Sequence, residues 1–365
     1  QAVIGSYLHR HAYPDWFKDH QKAGQQLQTG HQYRSGDGAQ CVQLRGEYLY
    51  AAEGAAGVRV YDVASIANKG FSQRIIQAPF SELGHDTHVE LPQASCIALP
   101  TNQPIAPDRN QGELMRHVNQ EQPFHPLYRY AVASDRERGL VLIEVDSLND
   151  GDPRNNRLEA TLAFNPQGRL SGARHLHLAG TMAYVSTPQA LVAVSLDQPL
   201  NPRITAEVPL RDVRASALQF RYLFVTTADG LVVLDASNAG TPNAKPVAQL
   251  ALKDARKLYL ARTYAYVAGG DEGLIIIDIE RPTAPQLIQR FNPDGQLGDA
   301  QDVVVASTNA SLYAYVAAGR HGLQVVQLTA PDTQPGFYGF SPQPQPQRMA
   351  HYPTSSRALA ISKGL

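Results

Sequence analysis

From Ala39 to Leu328 the chain alternates short apolar bursts with breaks rich in glycine and proline. The clearest stretch is YAYVAGGDEGLIIIDIERPTAP, running from Tyr264 to Pro285. Tyr264 to Ala268 is dense in aromatic and β-branched residues, which predicts a strand. Gly269, Gly270 and Gly273 supply the permissive backbone of a tight connection. Leu274 to Ile279 is almost continuously apolar, as fits a strand covered on both faces. Upstream, Leu258 and Leu260 repeat at period two, the mark of a preceding strand. Downstream, Pro282 and Pro285 break the ladder, and QLIQRF (Gln286 to Phe291) predicts a shorter outer strand. The bursts are short, β-branched and cut by Gly and Pro, so the pattern argues against helices.

The phrase recurs. AQCVQLRGEYLYAAEGAAGVRVYDV begins at Ala39, ARHLHLAGTMAYVSTPQALVAVSL at Ala173 and VRASALQFRYLFVTTADGLVVLDA at Val213. ARKLYLARTYAYVAGGDEGLIIIDI begins at Ala255 and AQDVVVASTNASLYAYVAAGRHGLQVVQL at Ala300. A sixth copy is split between ASCIAL, from Ala94, and YRYAVASDRERGLVLIEV, from Tyr128. Intact copies lie about 40 residues apart, the length of one propeller blade. A four-stranded sheet with two apolar faces buries both only by standing between neighbours. The expected fold is therefore an all-β propeller of six or seven four-stranded blades, with a long insertion in blade two at about residues 77–127. Residues 1–38 read as an arm or strap able to close the ring, and residues 39–340 as the propeller. Residues 341–365 read as a Pro/Gln-rich linker and extension that completes a blade or leads to further domains.

GLIIIDIERPTAP, with its relatives GVRVYDV, GLVLIEV, GLVVLDA and GLQVVQL, resembles the LVIVD repeat. The unit at Ala173 departs most, because Thr187-Pro188-Gln189 replaces the Gly-rich hinge. The resemblance implies a propeller and an extracytoplasmic setting, whether periplasmic, secreted or on the cell surface. It implies no shared catalytic chemistry and carries over no site residues.

Composition narrows the functions. Hydrophobic residues make up 43% of 365, and Lys plus Arg number 32 against 33 for Asp plus Glu. With no net field to attract phosphates, the balance gives no support to nucleic-acid binding. No run approaches the ~20 apolar residues of a membrane helix, so direct membrane insertion is not expected. The phrase RALAISKGL breaks off in mid-unit, which suggests one module of something longer.

Candidate chemistry lies at equivalent stations of the repeats. Arg174, Arg214 and Arg256 follow the opening Ala or Val in three successive units, with His175 and Lys257 beside two of them. If they converge, they form a basic arc suited to a carboxylate or phosphate. The alternative is that each arginine pairs with an acid such as Asp212 or Asp254. Cys41 and Cys96 also occupy equivalent stations. Their equivalence invites a disulfide, but equivalent side chains need not face each other, and two buried thiols are the favoured state. His85 and His88, in GHDTH, are the first place to look for a metal. No H-E-x-x-H, C-x-x-C-H, G-x-S-x-G or Walker loop occurs, and no cofactor is expected. The aromatic head around Trp16 reads as a strap on its own domain or a docking arm.

These features point to a non-enzymatic scaffold or interaction module of a larger extracytoplasmic assembly, partnered by other domains or subunits. One alternative is a small-ligand or enzymatic propeller using the basic mouth. Another is an accessory module of a multihaem redox assembly.

Overall fold

The computed structural model describes residues 38–46, 48–63, 87–100, 125–148, 157–308, 311–331 and 341–364. Among the described residues six four-stranded antiparallel sheets make up an all-β fold, the blades of a β-propeller. The chain divides into two compact units: residues 1–171, 196–202 and 364–365 form one, and residues 172–195 and 203–363 the other.

The first unit holds two sheets. One comprises β1 (Cys41–Arg45), β2 (Tyr48–Ala52), β3 (Val58–Asp62) and β4 (His88–Val89), in that order. The next comprises β5 (Ala94–Ala98), β6 (Tyr130–Asp135), β7 (Gly139–Glu144) and β8 (Glu159–Phe164). The stretch expected as an insertion at 77–127 thus contains β4 of one sheet and β5 of the next. Residues 64–86 and 101–124 lie outside the described residues, as do the head and Trp16.

The second unit holds four sheets. The third sheet is β9 (His175–Ala179), β10 (Met182–Ser186), β11 (Ala190–Ser195) and β12 (Arg203–Pro209). The fourth is β13 (Ala215–Gln219), β14 (Tyr222–Thr227), β15 (Gly230–Asp235) and β16 (Ala248–Ala251). The fifth is β17 (Leu258–Ala261), β18 (Tyr264–Ala268), β19 (Leu274–Asp278) and β20 (Gln286–Phe291). The sixth is β21 (Asp302–Thr308), β22 (Ser311–Ala317), β23 (Leu323–Thr329) and β24 (Gln347–Tyr352). Its outer strand comes from the segment expected as a linker and extension, so the described residues hold six blades.

Each sheet is a meander whose two middle strands are the most covered. In β19, Leu274, Ile275, Ile276 and Ile277 are all fully buried, while β20 alternates exposed with half-buried positions and β24 is exposed throughout. The two apolar faces serve different neighbours. Leu274 and Ile276 pack with Val303, Val305 and Val316 of the sixth sheet. Ile275 and Ile277, pointing the other way at period two, pack with Phe224, Leu231 and Val233 of the fourth. The third and fourth sheets meet through Tyr184, Leu191, Leu223 and Val225. The register slips between third and outer strands at Leu142/Ile143, Ala193/Val194, Ile276/Ile277 and Val325/Val326. Such bulges increase local twist.

The glycine of the GL phrase has a steric reason. Gly273 has φ +76°, and a Cβ there would lie 2.5 Å from the Phe291 carbonyl oxygen of the outer strand. Only glycine allows that approach without strain.

Candidate functional site

The column of arginines is set by the small residues between them and their preceding aspartates. Ala173, Val213, Ala255 and Ala300 are fully buried at the entry to β9, β13, β17 and β21. With that residue anchored, the two flanking it are half-buried, except for Asp299, which is buried. One flank is Asp212, Asp254 or Asp299; the other is Arg174, Arg214 or Arg256. Asp212 and Asp299 adopt left-handed φ of 51° and 73°, a conformation that aspartate tolerates better than most residues.

The first strands β9, β13, β17 and β21 lie side by side within the second unit. Each arginine fork therefore spans two sheets. Arg214 donates through Nε to Asp212 of its own sheet at 3.1 Å, and through Nη1 to Asp254 of the next at 2.5 Å. Arg256 repeats the arrangement, through Nε to Asp254 at 3.0 Å and Nη1 to Asp299 at 3.3 Å. Arg174 pairs with Asp212. Arg357, from the tail, closes the row on Asp299 at 2.7 Å. The result is one alternating chain: Arg174, Asp212, Arg214, Asp254, Arg256, Asp299, Arg357.

Four arginines and three aspartates leave the row close to neutral. Burial pushes the Asp212 carboxyl up, but hydrogen bonds from Arg174 and Arg214 outweigh it and hold the group below its ordinary range. At Asp299 burial is likewise outweighed, by Arg357, the Arg320 backbone N–H and Arg256. Below the row, Lys257 Nζ donates to Asp302 at 2.9 Å, and Asp302 also accepts from its own neighbour Val303 N–H. The expected residues Arg174, Arg214, Arg256 and Lys257 are thus brought together with their donors engaged by carboxylates.

His175 and His177 lie beside them on β9. Burial pushes His177 down to about 4, and burial with the Lys257 and His177 charges pushes His175 down to about 3. Both imidazoles are neutral near pH 7. His177 Nε2 accepts from the Leu218 backbone N–H at 3.2 Å, and its ring lies parallel to Tyr184 with centroids 6.4 Å apart.

In the first unit, β1 and β5 run close together, and Cys41 and Cys96 are joined in a disulfide with Cα atoms 4.7 Å apart. His88 Nε2 lies 2.8 Å from the Ala56 carbonyl oxygen. His85 lies outside the described residues, and among the described residues no three His, Cys, Asp or Glu gather as metal ligands would. A cleft of about 130 Å³ beside His88 is lined by Ala55, Ala56, Glu90, Leu91, Pro92 and Arg138. That is well below the roughly 300 Å³ of a usual ligand pocket.

Two members of the row were not foreseen: Asp299, whose unit carries Gln301 at the station that holds an arginine in three others, and Arg357. The signal was present for the others as D-x-R, at 212–214 and again at 254–256.

Residues 214–246, 253–293 and 297–333 match the LVIVD repeat. No curated protein matches the chain. Among solved structures, the chain is similar to one titled as a Mitotic Checkpoint Complex, at 8% identity and TM-score 0.54, covering 91% of this chain and 84% of that one. It is also similar to U3-55K, at 12% identity and TM-score 0.51, covering 91% and 87%. The β-propeller domain of Cps50 (Swd1) from Myceliophteria thermophila aligns at 12% identity and TM-score 0.49, covering 90% and 91%. At such identities the likeness concerns the fold alone.

Proposed function

We propose that this LVIVD-repeat propeller is a non-enzymatic scaffold, an interaction module that presents its loops to other domains or subunits of an extracytoplasmic assembly. One observation carries the reading. The side chains best suited to bind a small anion, Arg174, Arg214 and Arg256, spend their donors on aspartates that tie one sheet to the next. A row built this way stiffens the wall instead of opening a site. The Cys41–Cys96 disulfide supports an oxidising compartment, where such bonds persist.

Calorimetric titration with sulfate and with citrate tests the reading from one side, and cross-linking in the native cell envelope tests it from the other. The scaffold role predicts no saturable heat with either anion and a stoichiometric protein neighbour. Saturable binding of an anion that disappears in Arg214→Ala would replace the scaffold with a ligand-binding propeller.

A further inference from the structure

Three isolated antiparallel bridges recur at one station: Gly54 with Ala94, Gly270 with Ala300, and Gly319 with Ala358. Each is a reciprocal pair of backbone hydrogen bonds of 2.9 to 3.1 Å. In the first two, the alanine leads into the first strand of the following sheet. In the third, Ala358 comes after β24, the outer strand of the sixth sheet, and leads into the tail. The tail residues Arg357-Ala358-Leu359-Ala360-Ile361 have the form of Asp299-Ala300-Gln301-Asp302-Val303 and Gln93-Ala94-Ser95-Cys96-Ile97. An apolar residue follows each alanine by three positions. The tail therefore imitates the opening of a repeat.

Its seat is specific. Arg357 Nη2 donates to both Asp299 oxygens, at 2.7 and 2.8 Å, and Nε donates at 3.2 Å. The Ile361 N–H donates to Asp302 Oδ2 at 3.2 Å. Lys363 Nζ lies 4.9 Å from the Tyr259 ring centroid, on the fifth sheet's first strand. Gly319, at φ +50°, has no Cβ to collide with the Asp299 carboxylate. By contrast, Pro353 to Ser356, which lead to this seat, are all exposed.

We propose that Asp299, Gly319 and Asp302 form a strand-docking site that recognises an Arg-Ala-x-x-Ile segment, occupied reversibly by residues 357–361 of this chain. Asp299 reads the arginine fork, which suits a bidentate carboxylate contact. Gly319 pairs with the backbone of the alanine, as in strand addition. Asp302 accepts from the backbone N–H of Ile361, three positions after the alanine. Held by the exposed residues Pro353 to Ser356, the segment faces its seat at millimolar effective concentration and competes with any free peptide of the same pattern. The inference rests on the tail's geometry and stands apart from the scaffold reading.

The test uses the full chain and a fluorescein-labelled peptide of residues Ser355 to Lys363. In the wild type the tethered tail excludes the peptide up to roughly 100 μM. In Arg357→Glu, like charges meet at Asp299, the tail leaves, and the labelled peptide binds at least tenfold more tightly than to wild type. The same peptide carrying Arg357→Glu does not bind. Amide hydrogen exchange at Ala358 and Ile361 rises in that variant. Should Arg357→Glu fail to fold, Arg357→Lys keeps the charge but loses the fork, and it gives an intermediate gain in peptide binding. Peptide binding no tighter than wild type in the folded variant, or unchanged exchange at Ala358, overturns the docking site. The sulfate titration reports separately on the scaffold.

Discussion

Gly270 tests the row of alternating charges most cleanly, because its backbone and its neighbours impose separate costs. It has φ +56°, and a Cβ there would collide with Asp254 Oδ2 and lie 3.0 Å from its Cγ and 3.1 Å from Arg256 Nη2. Gly180 has φ +59° with nothing within 4 Å of the same added atom. Alanine at either site bears the left-handed backbone cost, about 1 kcal/mol. At position 270 it also displaces Asp254, which accepts from Arg214 at 2.5 Å and Arg256 at 3.0 Å. Each of those partly exposed charged contacts is worth about 1 kcal/mol after screening. Gly180→Ala should therefore lose about 1 kcal/mol and Gly270→Ala about 3. Urea unfolding followed by far-UV circular dichroism measures both. The gap should narrow in 1 M salt, where the Debye length falls to about 3 Å. Equal losses in the two variants would show that Asp254 is not confined between the arginines.

The disulfide closes a separation of 55 residues, so Cys41→Ala/Cys96→Ala should lose up to about 4 kcal/mol, and native mass should rise by two hydrogens on reduction. Unchanged mass on reduction would refute the bond. His175 and His177, held at about 3 and about 4 against an unfolded value near 6.5, contribute stability that is complete above pH 6.5 and is lost as pH falls toward 4. Asp212 and Asp299, held low, lose theirs only below the ordinary carboxylate range. Urea midpoints should thus decline between pH 6.5 and 4.5 in wild type and decline about half as steeply in His177→Phe, where His175 still contributes; an equal decline in both would contradict the assignment of His177. Phe220 sits at φ 54° on a hairpin tip and is 92% exposed, so Phe220→Gly should raise stability by up to about 1 kcal/mol. A loss there would mean the ring has a packing role.

Most of the fold was legible because each unit carries its own period and punctuation. Tyr264 to Ala268 and Gln286 to Phe291 emerge as strands at the boundaries expected of them. The outer strands are harder to find, since little of them is buried. His88–Val89 is two residues long, and Gln347–Tyr352 is exposed throughout and follows a proline-rich run. The arginine column was visible, but its meaning depended on a second column two positions earlier, interrupted where Gln301 replaces the arginine. The cysteine pair turned on how closely β1 and β5 approach, a distance that spacing along the chain does not reveal.

A double-mutant cycle on Arg214 and Asp254 tests the account at its centre, because these two residues join adjacent sheets through a single ion pair. Unfolding free energies of wild type, Arg214→Ala, Asp254→Ala and the double variant give the coupling. A coupling of about 1 kcal/mol is expected at low salt, shrinking as salt rises. Losses that add within about 0.3 kcal/mol would mean the two side chains do not hold the sheets together.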